Sequence, residues 1–453
     1  MTRYLPRLLA ATLCSAALMA GAARSETLAD ALISAYKNSN LLEQNRAVLR
    51  AADEDVADAV SALRPVLQWV ANVQQYDTRQ RGAARDASIG LQGQMTLLDF
   101  GRNRLGVEIA KETVLATREA LIGVEQDVLL AAVQAFFDVR SASENVANNQ
   151  NSVRVVSEFL RATQDQFDVG EVTRTDVAQA QARLAASRAG LAAAEGTLVV
   201  ARESYRAATG HYPGPLANAP RPPALPKSPD EASATALRNH PGILQAQHMA
   251  KVADLGISAA AAARMPELTG SVGITHYDGT GDDAAAEIEL SQTIYAGGKL
   301  SAAHRKALAQ RDQARAALLQ ASVGVSQGVG NAFAAIEIAR AQISATDRQI
   351  EAAQIAYDGV REEAKLGART TLDVLDAEQE LLDARAARIT AVADLQVANY
   401  SLLSAMGLLT AEHLNLGIPT YDAEAYYNAV KKAPSTSLQG KSLDRVLQAI
   451  GKN

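Results

Sequence analysis

Two stretches 197 residues apart decide how this chain is read: Phe167-Asp168-Val169-Gly170-Glu171-Val172-Thr173-Arg174-Thr175-Asp176-Val177 and Ala364-Lys365-Leu366-Gly367-Ala368-Arg369-Thr370-Thr371-Leu372-Asp373-Val374. The same offset carries Gly101 onto Gly298, Phe136 onto Phe333 and Gly210 onto Gly407. Upstream the offset is 201, taking Pro65 to Pro266 and Tyr76 to Tyr277. The chain is a duplicated unit, with four residues gained or lost between the two blocks.

Proline marks the seams of the duplication. Seven of the 13 prolines lie in residues 210 to 229, which reads as an extended linker, whereas 66 to 212 and 267 to 418 hold none. Each half can therefore carry one long uninterrupted helix. From Arg102 to Phe167 the sequence is rich in Ala, Leu, Glu, Gln and Arg, with Val139, Val146, Val153, Leu160 and Phe167 spaced by seven. Ile336, Ile343, Ile350, Tyr357 and Ala364 repeat that seam. At 1.5 Å per residue such a helix is about 100 Å long, beyond any globular domain. Gly170 and Gly367 suit the C-caps where each long helix turns back into a shorter one ending near Ala208 or Ala405.

Before each long helix lie two runs of alternating character. Leu67, Trp69, Ala71 and Val73 alternate with polar residues, as do Ala87, Ile89, Leu91, Gly93, Met95 and Leu97. Leu268, Val272 and Ile274, then Ala286, Ile288, Leu290 and Ile294, repeat the pattern, with Glu287 and Glu289 on the opposite face. A hairpin lying on a soluble core would give the same alternation. Four strands cannot close a membrane barrel, whose known minimum is about eight, so closure requires eight strands from two chains or twelve from three.

The N-terminus has the order of a secretory signal peptide: Arg3 and Arg7, an apolar run from Leu8 to Ala20, then small residues, with cleavage expected near Glu26. Removing three arginines turns 44 basic and 50 acidic residues into 41 and 50, a net charge of −9, which favours no nucleic acid partner. The single cysteine, Cys14, falls inside the apolar run, so a mature chain would have no disulfide, zinc-thiolate site or cysteine nucleophile. The six histidines show no metal-ligand spacing. No cofactor, metal or enzymatic activity is expected.

This order of strand pair, long helix, turn and returning helix, in duplicate behind a signal peptide, resembles the TolC-like outer-membrane factors. The resemblance rests chiefly on Gly367 to Ala377, on the counterpart Gly170 to Asp176, and on the junctions Leu98-Asp99-Phe100-Gly101 and Tyr295-Ala296-Gly297-Gly298. It implies a mainly α fold with a small β part: an α-helical coiled-coil barrel in the periplasm plus a trimeric transmembrane β-barrel of four strands per chain and twelve in total. It also implies a homotrimer in contact with outer-membrane lipid, a periplasmic adaptor (membrane fusion) protein, and an inner-membrane transporter of the ABC or proton-driven kind. The function implied is a passive conduit for type I protein secretion, small-molecule efflux or both.

The expected organisation is a signal peptide (1–25), a first repeat (26–209), a Pro-rich linker (210–232), a second repeat (233–410) and a polar tail (411–453) ending in a short amphipathic helix through Leu443, Leu447 and Ile450. The resemblance places Asp176 and Arg369 in the bonds that hold the periplasmic entrance shut, and Asp373 and Asp376 in acidic rings at the constriction. Ala364 departs from the family, which has a gate tyrosine there. Capping offers another account of the aspartates, because Thr173 to Asp176 and Thr370 to Asp373 both have the Thr-x-x-Asp spacing of a helix N-terminus. A purely structural periplasmic coiled coil is the competing reading of the whole chain, although it has no use for four lipid-matched strands.

Overall fold

The computed structural model describes residues 25–78, 82–279, 281–431 and 445. The expected signal peptide and the helix through Leu443, Leu447 and Ile450 lie outside the described residues. Each half repeats one order. The first contains α1 (Leu28–Asn38), α2 (Asn40–Ser61), β1 (Val66–Thr78), β2 (Gly82–Leu98), α3 (Arg102–Asp168) and α4 (Arg174–Thr209). The second contains α5 (Pro229–Asn239), α6 (Pro241–Ala262), β3 (Glu267–Tyr277), β4 (Gly281–Ser291), α7 (Lys299–Lys365) and α8 (Thr371–Ala405), and α9 (Ala423–Val430) follows in the tail. The helices match in length: 11 and 11 residues, 22 and 22, 67 and 67, then 36 and 35. The duplication is therefore carried by the backbone as well as by the sequence.

The strands form one antiparallel sheet in the order β1-β2-β3-β4. Its register aligns the alternating residues across all four strands: Trp69 faces Leu91, Leu91 faces Ile274, and Ile274 faces Ala284. Leu268 and Leu290 pair on the same face, while Gln68 with Gln92 and Thr269 with Glu289 pair on the other. The strands are longer than the alternation predicts, because β1 runs to Thr78 and β2 starts at Gly82. The first hairpin pairs as far as Thr78 with Gly82, the second only as far as Tyr277 with Gly281. Since Tyr277 answers Tyr76, the four extra residues form two additional rungs, Asp77–Ala83 and Thr78–Gly82. Two residues per strand is an even insertion, so every side chain keeps its face.

The two strand-to-helix junctions share a backbone path and differ in sequence. In the second half Gly297 and Gly298 both have positive φ, 58° and 88°. In the first half the same two conformations fall on Phe100 at 53° and Gly101 at 86°. A left-handed conformation costs a side chain that glycine lacks roughly 1–2 kcal/mol. Asp99 holds this turn, its carboxylate accepting from Gly101 N at 2.9 Å and Asn103 N at 2.7 Å.

The chain divides into two compact units. One takes the residues up to Leu42, Glu125–Ala236 and Ser326–Pro419. Its core includes Leu129, Phe136, Phe137, Leu402, Leu403 and Met406, with the two phenylalanine rings edge to face at 5.3 Å. Glu26 fastens the start of this unit: its carboxylate accepts from the buried Tyr205 hydroxyl at 2.6 Å and Gly214 N at 3.2 Å, and meets His211 Nε2 at 2.9 Å. The helix α5 begins at Pro229, where the missing N–H costs nothing.

The other unit takes Glu43–Val124, Leu237–Val325 and the chain from Thr420 onward. Here the tail packs on α2 and α3. Tyr421 lies under Arg46 and Tyr427 under Arg118, each at 5.3 Å, and the Tyr426 hydroxyl donates to Glu54 at 2.8 Å. Asp53 is fully buried beside this clasp, and burial pushes its carboxyl up to about 6 against the pull of Arg118. On α3, Glu112 is bridged by His248 and Lys251 of α6.

The expected seven-residue seam is buried at Val139 and, in the second half, at Ile336. Toward the tip of α3 the most buried residues are Ser152, Val156 and Thr163, with Val153 and Leu160 partly buried beside Val156 and Phe167 exposed. Small polar residues thus share the buried face there with the larger side chains.

Candidate functional site

The two hairpin tips are built by the same local rules. At the end of α3, Gly170 N donates to Phe167 O at 3.0 Å and Glu171 N to Gln166 O at 2.9 Å. This is a Schellman closure, and it needs the positive φ of 82° that Gly170 supplies. At the end of α7, Gly367 N donates to Ala364 O at 3.0 Å and Ala368 N to Glu363 O at 3.0 Å, with Gly367 at 74°. Ala364 thus contributes its carbonyl to the cap and a half-buried methyl to packing. It brings no hydroxyl to the tip.

Each returning helix then opens with a capping box. Thr173 N and Oγ1 donate to the Asp176 carboxylate at 2.8 and 2.7 Å, and Asp176 N donates back to Thr173 Oγ1 at 3.3 Å. Thr370 and Asp373 repeat the arrangement at 2.9, 2.8 and 3.3 Å. These bonds hold the Asp176 carboxyl below its usual range, chiefly through the Thr173 hydroxyl, and that of Asp373 likewise, chiefly through the Thr370 N–H. Capping is therefore a role that both aspartates perform within one chain.

The charged residues at the tips have partners inside the chain. Arg369 Nε donates to Glu363 at 2.9 Å, so its guanidinium lies across its own turn. Asp376, one turn beyond the cap, is paired with Arg183 of α4. The two returning helices α4 and α8 pack together, and Ala180, Leu184 and Leu375 share a small core with Val156 of α3. The structure brings Asp376 to Arg183, a residue the sequence reading did not single out.

A second feature escaped that reading. Glu378 is only 8% exposed, and it interrupts the buried stripe Val374, Leu375, Leu381 and Ala384 of α8. It borders a cavity of about 130 Å³ that Ser152, Tyr357 and Arg385 also line. Its Oε2 has no hydrogen-bond partner among the described residues, and burial pushes its carboxyl upward despite the nearby Ser152, Arg183 and Arg385. Arg385 itself donates to Gln354 at 2.9 Å. A glutamate at an apolar position of a helical stripe is the sequence signal that marks this site.

Among the described residues no group of three or more His, Cys, Asp and Glu side chains is arranged to hold a metal. In sequence, each long helix follows a strand pair of the amphipathic sheet and ends in a polar, acid-bearing turn, and the two turns are built alike.

Comparison with known proteins agrees. The family model described as outer membrane efflux protein matches residues 31–211 and 232–408, once per repeat. The outer membrane efflux protein BepC of Brucella suis biovar 1 (strain 1330) is 37% identical over 430 residues, covering 93% of this chain and 94% of BepC. The outer membrane protein TolC of Escherichia coli (strain K12) is 26% identical over 442 residues, covering 90% of this chain and 87% of TolC. Among solved structures, the outer membrane protein VceC of Vibrio cholerae superposes with a TM-score of 0.73 at 20% identity, over 84% of this chain and 96% of VceC. A structural coiled coil without channel activity is not favoured by these relatives. The chain belongs to the outer membrane efflux protein family, the TolC-like factors, and is an outer-membrane efflux channel with a periplasmic helical extension.

Proposed function

We propose that the chain acts as a homotrimer, a passive conduit whose driving energy comes from an inner-membrane transporter, of the ABC or proton-driven kind, coupled through a periplasmic adaptor. The observation that carries this reading is the sheet. Its outer strands, β1 and β4, each pair on one side only among the described residues, and one face is apolar along all four strands. Open edges of this kind must be covered, and a membrane barrel covers them by closure. Three copies give twelve strands, an even number above the minimum of about eight.

In this reading the hairpin tips form the periplasmic entrance, with Asp176 and Arg369 in the contacts that close it and Gly170 and Gly367 shaping the turns. Asp373 and Asp376 of three copies line the constriction, although Arg183 offsets part of the Asp376 charge. Because Ala364 brings no hydroxyl, closure leans on Arg369. The relatives' names speak of efflux, and TolC-like factors by resemblance also serve type I secretion. Efflux is the use we assign first, on the identity with the outer membrane efflux protein BepC.

The test is the mass of the detergent-extracted protein, with planar-bilayer recording of the same sample. A trimer forming discrete cation-selective channels is expected. A water-soluble species without conductance would refute the conduit.

A further inference from the structure

The acid at the centre of the tail clasp is Asp53. It lies fully buried on α2, and neither of its carboxylate oxygens has a hydrogen-bond partner among the described residues. Leaving both oxygens of a buried acid unpartnered is costly, and packing alone does not require it. The cation that could satisfy it is close at hand and turned elsewhere. Arg118 of α3 is near enough for its charge to pull on the Asp53 carboxyl, yet it donates no hydrogen bond to it. Its Nη1 lies 3.7 Å from Glu424 and its guanidinium 5.3 Å from the centre of the Tyr427 ring, while its buried Nε has no partner among the described residues. Arg118 thus gives its contacts to the tail.

The other groups around Asp53 also reach for the tail. On its own helix, Arg46 lies over the Tyr421 ring and Glu54 accepts from the Tyr426 hydroxyl at 2.8 Å. Arg50 acts on both of these tyrosines, and Glu43 acts on Tyr421. The Glu54 charge strengthens the hold of Asp53 on its proton, against the pull of Arg118. From the tail, Asp53 meets Tyr421 and Tyr426, whose hydroxyls burial pushes above the ordinary tyrosine value, so neither titrates near neutrality.

We propose that Asp53 and the C-terminal tail compete for Arg118, which makes the tail a proton-operated clasp: docked on α2 and α3 while Asp53 is protonated, released when the ionised carboxylate takes the guanidinium. A protonated Asp53 leaves Arg118 to Glu424 and Tyr427. An ionised one is stabilised by drawing Arg118 toward itself or by admitting water, and either move loosens the tail. Acidification therefore closes the clasp. Burial holds the docked Asp53 at about 6 against an ordinary value of 3.8, so docking strengthens as pH falls through about 6 and weakens as pH rises. With the ordinary value in the released state, docking is about tenfold stronger at pH 5 than at pH 7.5. The inference does not depend on how the sheet is closed.

Hydrogen exchange of residues 421–430 in the full-length, detergent-solubilised protein, corrected for intrinsic rates, reads the docking. The eight-residue α9 has little protection of its own. In the wild type, protection should be about tenfold greater at pH 5 than at pH 7.5. Asp53→Asn, which keeps the shape and cannot ionise, should hold the tail at the wild-type pH 5 level at both pH values. Tyr426→Phe, which removes the bond to Glu54 and leaves Asp53 and Arg118 in place, should lower protection at both pH values and keep the ratio between them. A wild-type tail equally protected at pH 5 and pH 7.5 overturns the proposal without any variant. A ratio that survives in Asp53→Asn overturns it too. Loss of the ratio in Tyr426→Phe would place the proton on the Glu54–Tyr426 pair, and Asp53 would no longer be the switch.

Discussion

Replacing Glu378 by leucine should strengthen the tip of this channel. The side chain lies between Leu375 and Leu381 on the buried stripe of α8, with one carboxylate oxygen unpartnered among the described residues. An unsatisfied buried polar atom costs about 1–3 kcal/mol, and leucine fits the stripe without it. Neither nearby arginine is stranded by the change, since Arg183 keeps Asp376 and Arg385 keeps Gln354. The gain should depend on pH. The folded-state pKa of Glu378 is raised above its unfolded value, so its protonated form is the better-tolerated one. Wild-type stability from this group is greatest below the ordinary glutamate value of 4.5 and is lost as pH rises through the raised one. At pH 8 Glu378→Leu should slow local opening of the segment 370–385 by roughly ten-fold, the equivalent of 1.4 kcal/mol. Near pH 4 the difference from wild type should shrink. Hydrogen exchange of that segment in the detergent-solubilised protein, corrected for intrinsic rates, measures both. Faster exchange in the variant at pH 8, or the same difference at both pH values, would refute the reasoning.

Other consequences can be tested on the same preparation. Arg369→Ser should raise single-channel conductance, and an unchanged conductance would remove Arg369 from the closing contacts. Asp373→Asn combined with Asp376→Asn should weaken block by multivalent cations in bilayer recordings. Thr370→Ala, which removes the cap and keeps the charge, should leave that block intact and speed amide exchange at the start of α8; loss of block in this variant would show that the two roles are not separable. Asp53→Asn should flatten the fall in stability that wild type shows as pH rises through about 6, the value to which burial lifts this carboxyl. Thermal unfolding at pH 5 and pH 7.5 reads the difference, and an unchanged slope would exclude Asp53 as its source.

Much of this fold was legible because a duplicated sequence checks itself. Gly170 and Gly367 recur at the 197-residue offset, and both end a long helix in a Schellman turn. The alternation of Leu67, Trp69, Ala71 and Val73 named the apolar face correctly, since a period of two can serve only a strand. The strand ends were hidden, because Asp77 on β1 and Arg85 and Asp86 on β2 are charged, and charges there mask a ladder that needs only backbone groups. The buried face of α3 was legible in part, at Val139, because close helix packing toward the tip also buries the small polar Ser152 and Thr163, which a line of large apolar residues does not mark.

At the tips the capping alternative for Asp176 and Asp373 was readable from Thr-x-x-Asp spacing. The pairing of Asp376 with Arg183 was not, because it joins residues 193 apart whose meeting depends on how two returning helices pack. Arg369 chose a neighbour six residues away, Glu363, which spacing alone does not rank above its other acidic neighbours.

The two extra rungs of the first hairpin mark where this architecture tolerates novelty. The paired helices of the two repeats match in length to within one residue, so an insertion in one would put its repeat out of step with the other. The far end of a hairpin answers to no such ruler. Residues added there in pairs, one to each strand, lengthen a ribbon without turning any side chain over. That makes the far end of the β1–β2 pair, beyond the Thr78–Gly82 rung, the natural place to graft an epitope or a binding loop.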